Sequence, residues 1–267
     1  MTAVAPEPPP ESPAGEARDP QFATTLARGL AILRCFTPDD PMLGNSQIAT
    51  RTGLSRPTVA RFTYTLVQLH YLRTDPATGK YLLGPAVLSL GYPMLSRIAL
   101  RQIARPGMAD LALYVHGAVS MGVRDRLDVV YVETSRSRQV LSSQLSDIGM
   151  IHPLIASAMG HAYIAACASK ARESLINTIQ VMQPTQWGCF HTLLEDNIRH
   201  YQRTGFCVSH GEFLAGFDSV AVPLKMNSAG DIYMFNCVMP STEFTAKQLV
   251  EHVGPRLVGF VRSLQAH

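Results

Sequence analysis

What the chain lacks excludes several classes of protein. Its five cysteines (Cys35, Cys167, Cys189, Cys207 and Cys237) are scattered and odd in number. None falls into a CxxC or Cys/His spacing, so a disulfide framework or a zinc module is not expected; the pattern suits reduced thiols in a cytoplasmic protein. No apolar run reaches the roughly 18 residues that a membrane helix needs, and no charged segment leads into an apolar one as in a secretory signal, so no membrane partner is expected. Nor is there a GxSxG, P-loop or HExxH motif, or a GxGxxG where a strand passes into a helix. "CFH" sets Cys189 and His191 close in sequence, but nucleophile and base usually come from distant segments. Glu133, Asp147 and Glu212 fall at no useful acid–base spacing. Neither an enzyme nor a cofactor is expected, and no internal repeat is evident.

The 267 residues are 46% hydrophobic, enough for a real core, and carry a formal net charge of +3. That charge is uneven. Residues 1–21 hold one Arg against three Glu and one Asp, net −3; residues 22–90 hold six Arg and one Lys against three Asp, net +4. A basic N-terminal third suggests a face for a polyanion. The first 21 residues, rich in Pro, Ala and Glu, read as a disordered tail that buries too little apolar surface to offset its ordering entropy. "FATTLARGLAILRCF" then sets Leu26, Leu30, Leu33 and Ile32 near one helical face, and "TPDDP" ends it.

"NSQIATRTGLSRPTVARFTYTLVQLHYL" (residues 45–72) meets the demands of a helix-turn-helix. Ala49 is the small residue at the crossing, and Gly53 sits at the turn, where positive φ is needed. Ile48, Leu54, Val59, Phe62 and Leu66 form the shared seam. Ser55 suits an N-cap, and Pro57 falls in the first turn, where a missing N–H costs little. Ser46 on the first helix and Ser55, Arg56, Thr58, Arg61 and Thr65 on the second are the candidate DNA contacts, because the N-terminal half of the second helix enters the major groove in this motif. The two helices alone leave an ordinary αα-hairpin with a solvated face as an alternative. The next segment of chain favours DNA: strand-like pieces at 71–74 and 80–83 flank "DPATG", a hairpin with suitable turn chemistry. Arg73 at its entry and Lys80 at its exit are placed to meet phosphates. Together these predict a winged helix-turn-helix over residues 22–88.

Residues 86–117 read as mostly helical and are punctuated by Pro93 and Pro106. A linker helix is expected over 89–105, and a second domain over 106–267. In that domain, 118–124, 128–135, 139–145, 206–213, 219–226 and 231–240 read as strands, the last two joined by "NSAGD". Residues 157–169, 191–205 and the C-terminal "TAKQLVEHVGPRLVGFVRSLQ" read as helices. The fold class is α+β, with an antiparallel sheet in the second domain.

The chain resembles the isocitrate-lyase-regulator (IclR) family of bacterial transcription factors. The resemblance is carried by "LARGLAILRCF", "IATRTGLSRPTVARFTYTLVQLHYL" and "GKYLLGPAVLSLG" in the first domain. In the second it is carried by "DVVYVE", "IASAMGHAYIAA", "TGFCVSHGEFLAGFDSVAVPL" and "GDIYMFNCVMP". It implies a winged helix that dimerises on palindromic double-stranded DNA, and a GAF-like domain that binds a small organic acid and often builds a homotetramer. Three stretches depart from the family pattern: His161 follows "SAMG", "MIHPLIAS" brings His152 to the expected pocket mouth, and "FNCVMP" replaces smaller residues.

An acid site needs apolar walls and a few convergent donors. The start of the helix at Ser157, Ala158, Met159 and Gly160 offers free N–H groups to a carboxylate. By analogy with the family, Asn236, Val238 and Met226 line the opposite wall, with Ser120 and His152 as further candidates. Packing competes for each of them: methionines such as Met121, Met159, Met226, Met234 and Met239 are more often core filler. An aromatic acid is preferred on the grounds that Met-rich walls suit a ring. The sequence also leaves open a second domain that serves only oligomerisation.

Overall fold

The computed structural model describes residues 21–138, 147–226 and 232–266. The expected tail (apart from Gln21), the strand expected at 139–145 and the turn at 227–231 lie outside the described residues. Contacts divide the chain into two compact units at Arg97/Ile98.

The N-terminal unit begins with α1 (Thr24–Arg34), α2 (Asn45–Thr52) and α3 (Arg56–Gln68). α2 opens with the Gly44 N–H donating to Gln47 Oε1 at 3.0 Å and ends at Gly53, whose φ of 68° makes the turn. α3 opens on Ser55, whose Oγ accepts from the Thr58 N–H at 3.4 Å, with Pro57 in its first turn. The core joins Ile32, Phe36, Leu43, Ile48, Val59, Leu66 and Leu72, with Leu54 and Phe62 half-buried against it. The predicted seam is therefore the seam observed. β1 (Leu72–Thr74) and β2 (Tyr81–Leu83) pair antiparallel as the wing, and Leu43 adds a bridge to Tyr81. The wing turn is closed by Asp75, whose carboxylate accepts from the Thr78 N–H at 3.0 Å.

The stripe expected on α1 divides. Ile32 is fully buried, whereas Leu26 and Leu30 are 64% and 48% exposed. Leu26 and Leu30, at i+4 spacing on α1, share a face turned from the unit's core, and Phe22, exposed as well, lies just before the helix. The linker differs too: α4 (Ala86–Ser96) ends the first unit and α5 (Leu100–Tyr114) begins the second. The break falls at 97–99 and not at Pro93 or Pro106, each of which lies inside a helix on an exposed position.

Among the described residues the second unit is built on a six-stranded antiparallel sheet of order β5-β4-β3-β8-β7-β6. Its strands are β3 (Ala118–Asp125), β4 (Asp128–Arg136), β5 (Ile151–Pro153), β6 (Cys207–His210), β7 (Phe217–Lys225) and β8 (Ile232–Pro240). α5 packs on β3 and β4, and α10 (Gly254–Ser263) on β7 and β8. α6 (Ala158–Ala166) packs on β7 and β8 and is backed by α7 (Ser169–Met182) and α8 (Pro184–Thr204). A short α9 (Ala246–Gln248) and a π-helical turn (Leu249–Val253) lead into α10. The α+β class with its antiparallel sheet is the one expected. β5 and α7 are additions to the sequence reading; α6 stops at Ala166, and α8 starts at Pro184, ahead of the expected 191.

Alternation along a strand sorts residues to the two faces of the sheet. One irregularity matters. The β3–β4 register shifts between Met121 and Gly122, so Met121 pairs with Glu133 but Gly122 pairs with Tyr131. Val132 is thus the extra residue of a β-bulge. Tyr131 is thereby moved onto the face that carries Ser120 and Thr134, away from Glu133.

Candidate functional site

The edge of α3 is open. Ser55, Arg56, Arg61 and Thr65 are exposed, as is Ser46 on α2; Thr58 is half-buried, its hydroxyl 2.8 Å from Ser55 Oγ. Thr65 donates back to the Arg61 carbonyl at 3.1 Å, and the Arg61 guanidinium lies 6.0 Å from the centre of the Phe62 ring. Val59, Thr63 and Leu66 face inward, so the helix offers one polar, basic edge to solvent and its other side to the core. Tyr64, 66% exposed, extends that edge and was not singled out in the sequence. Its signal was there, three residues after Arg61 on the same helical face. Arg73 is exposed on β1, and Lys80 is half-buried where the turn enters β2. The arrangement can place a cationic helix edge in a groove and a hairpin on flanking phosphates.

The second candidate is the sheet face under α6. Ser120 on β3 is cross-strand partner to both Asn236 on β8 and Thr134 on β4. Its Oγ lies 3.0 Å from Thr134 Oγ1. Asn236, 3% exposed, donates from Nδ2 to the Tyr131 hydroxyl at 3.0 Å, while its Oδ1 is buried with no partner. The Tyr131 ring meets the edge of His152, which in turn meets Phe213 edge-on, at centroid distances of 5.0 and 5.2 Å. Burial pushes His152 down to about 4, so it is neutral at neutral pH. The apolar floor is Val129, Met159, Ala221 and Met234.

At the start of α6, Ser157 Oγ donates to the Pro153 carbonyl at 3.0 Å and accepts from the Gly160 N–H at 3.1 Å. A Cβ on Gly160 would lie 2.1 Å from the Leu154 carbonyl oxygen, so this glycine is needed for close packing. Its amide is already occupied, which leaves the Ala158 and Met159 N–H groups as the first-turn donors without an intrahelical acceptor. Met159 itself is core, 1% exposed. His161 is fully buried and pushed down to about 4 by burial. Its Nε2 lies 2.6 Å from the Ile155 carbonyl, and its Nδ1 lies 3.1 Å from Asn197 Nδ2. A neutral ring that donates from Nε2 and accepts at Nδ1 satisfies both contacts.

The structure thus brings Ser120, Asn236 and His152 together, with Tyr131, Thr134 and Phe213 as members that sequence reasoning missed. It places Val238 in a separate small cluster with Ala118 and Phe217, and Met226 half-buried just beyond β7. A concavity of about 680 Å³ lies elsewhere, along α8 and β6, lined by Asp196, Arg199, His200, Arg203 and His210. Its lining is mostly polar and charged, unlike the mostly apolar lining of a typical small-molecule site. The acids weighed for catalysis are engaged otherwise: Glu133 with Arg101 and Arg105, Asp147 with Arg136, and Glu212 with Ser209 Oγ at 2.8 Å. Cys189 is exposed on α8, while His191 stacks on Trp187. Among the described residues no His, Cys, Asp or Glu group is placed to hold a metal, and no helix is long and apolar enough to cross a membrane.

Comparison with known proteins agrees with this two-part architecture. Residues 25–76 match the IclR helix-turn-helix domain, and residues 92–262 match the family described as bacterial transcriptional regulator IclR C-terminal. The chain is 34% identical to the HTH-type transcriptional regulator TsaQ1/TsaQ2 of Comamonas testosteroni, covering 91% of this chain and 87% of that one. It is 28% identical to the p-hydroxybenzoate hydroxylase transcriptional activator of Acinetobacter baylyi, covering 91% and 90%. An IclR-family transcriptional regulator from Brucella abortus superposes with a TM-score of 0.82 at 40% identity, over 94% of this chain and 95% of the other. With both domains matched in order, the chain belongs to the IclR family of bacterial transcriptional regulators.

Proposed function

We propose that this regulator binds palindromic operator DNA as a homodimer or homotetramer and that a small organic acid, aromatic by preference, controls that binding at a catabolic operon. The observation that carries the DNA half is the edge of α3. Arg56 and Arg61 project from a helix whose other side is locked into the core, beside a wing bearing Arg73 and Lys80. Arg pairs bidentately with guanine, and Thr meets thymine methyls or phosphates. Thr65 and Ser46 serve as positioning contacts.

Leu26 and Leu30 on α1, with Phe22 just before the helix, support pairing with a second copy, since exposed large apolar side chains gain from being covered. The sheet face under α6 supports the sensing half, with neutral polar groups over an apolar floor. The Acinetobacter relative is named for activating an enzyme of aromatic hydroxyacid metabolism, which agrees with the ring preference. In this reading the acid acts by population shift, favouring one arrangement of the paired winged helices.

Fluorescence anisotropy on the intergenic DNA beside the gene tests the proposal. Arg56→Ala and Arg61→Ala are each expected to weaken specific binding by about 1–3 kcal/mol. Unchanged affinity in both variants would remove α3 as the reading helix.

A further inference from the structure

The sensing proposal says only that an organic acid occupies the face under α6; resting on that reading, the chemistry of one side chain narrows the class. Asn236 is 3% exposed and central in the sheet, between Ser120 on one side and Ala221 on the other. Its two amide groups are treated unequally. Nδ2 donates to the Tyr131 hydroxyl at 3.0 Å, but Oδ1 is buried without a partner. A buried acceptor left unmatched is costly, and native proteins rarely leave one open without a reason. Its polar cross-strand partner, Ser120, makes no hydrogen bond to it; Ser120 Oγ lies 3.0 Å from Thr134 Oγ1 instead. Tyr131 anchors the amide here, because the bulge at Val132 turns Tyr131 onto this face.

We infer that Asn236 Oδ1 is the receptor for a hydrogen-bond donor on the ligand, so that the effector is a hydroxylated acid and not a plain carboxylate. The two ends of such a ligand find different surroundings. Its hydroxyl faces Oδ1, an acceptor that repels a carboxylate. The carboxylate is therefore directed away from Asn236, toward the first-turn amides of Ala158 and Met159. His152, neutral and set edge-on between Tyr131 and Phe213, supplies an aromatic wall.

Calorimetric titration of the full chain with acids paired by one hydroxyl tests this: benzoate with 4-hydroxybenzoate, phenylacetate with 4-hydroxyphenylacetate, and succinate with malate. 4-Methoxybenzoate adds a group of similar reach that accepts but does not donate. In at least one pair the hydroxylated acid is expected to bind about tenfold or more tightly, because a site built for a hydroxyl strongly rejects the analogue lacking it. If that pair is the benzoate one, the methoxy acid is expected to behave like the unhydroxylated acid. Asn236→Leu is expected to erase the preference by weakening the hydroxylated acid alone. Should that variant not fold, the preference of the unmodified chain still decides. Equal binding within every pair overturns the inference and leaves the sensor intact; it would mean an amide turned over, with Nδ2 to the carboxylate. Binding by no acid at all counts against the sensor reading itself, and the inference falls with it.

Discussion

Two helices in this protein start with the same device and use it in opposite surroundings. α3 begins at Ser55, whose Oγ accepts from the Thr58 amide; α6 begins at Ser157, whose Oγ accepts from the Gly160 amide. Ser55 is exposed, and Arg56, Arg61 and Thr65 of its helix stand in water. Ser157 is 6% exposed, and the helix behind it is buried along almost its whole length. The contrast extends to the chemistry of the two regions. The α3 edge carries full charges that water screens and that any polyanion attracts. The face under α6 carries neutral groups in a dry setting, where each unmatched atom counts. One region is suited to long-range attraction to a nucleic acid, the other to telling one small molecule from another.

The largest expected difference lies in ion pairs. Glu133 is 3% exposed at its side chain and is met by Arg101 at 3.1 Å and Arg105 at 2.8 Å, whereas Arg51 and Asp40 pair at 34% and 49% exposure. Glu133→Ala leaves buried cationic charge behind and is expected to destabilise the C-terminal unit by about 3 kcal/mol. Asp40→Ala is expected to cost the N-terminal unit less than about 1 kcal/mol. Hydrogen exchange, which reports each unit separately, measures both; equal losses would end the comparison.

The capping serines come next. Ser157→Ala removes a cap and strands the Gly160 N–H in the interior, while the Pro153 carbonyl keeps the Ala156 and Ser157 amides, for an expected loss of about 2 kcal/mol. Ser55→Ala removes a cap that water partly replaces, for about 1 kcal/mol or less. Thermal unfolding of the two variants is the check.

Acid sharpens the same contrast. His152 and His161 are held neutral by burial, with pKa values lowered from 6.5 to about 4. A depressed pKa means that the folded state binds the proton less readily than the unfolded state. Their contribution is fully present above pH 6.5 and is lost as the pH falls from there toward 4. Over that window the C-terminal unit, which holds both buried histidines, is expected to lose more stability than the N-terminal unit. Chemical unfolding at a series of pH values decides it, and parallel curves for the two units would speak against the buried histidines as the cause. The smallest expected effect belongs to Lys80→Ala. It is expected to weaken DNA binding about equally across sequences and to lower the salt slope by about one ion, read from affinity against salt concentration.

The two regions also differ in how far they were legible in the sequence. The reading helix announces itself locally. Gly53, Ser55, Pro57 and the inward residues Val59 and Leu66 lie within one short stretch, and a 3.6-residue period sorts inside from outside. The sensing face does not, because its members meet only through the sheet. Tyr131 and Asn236 are 105 residues apart, and strict alternation along β4 puts Tyr131 on the same side as Glu133. Only the bulge at Val132 reverses that, and a one-residue shift of register leaves no composition signal. β5 was missed because three residues ending in proline carry no period. α7 was missed because only Leu175 and Ile179 are buried among fourteen mostly polar positions. The stripe on α1 was legible as apolar but not as exposed: periodicity shows that a face is apolar, not what covers it.

The central claim is that α3 reads an operator under the control of an acid held by the C-terminal unit. Its most direct test is footprinting of the full chain on the DNA flanking its own gene, with and without the acid that calorimetry selects. The expected result is a protected palindrome that disappears in the Arg56→Ala/Arg61→Ala double variant and changes in extent or affinity when the acid is added. A footprint that survives the double variant and ignores every acid that the protein binds would contradict the account.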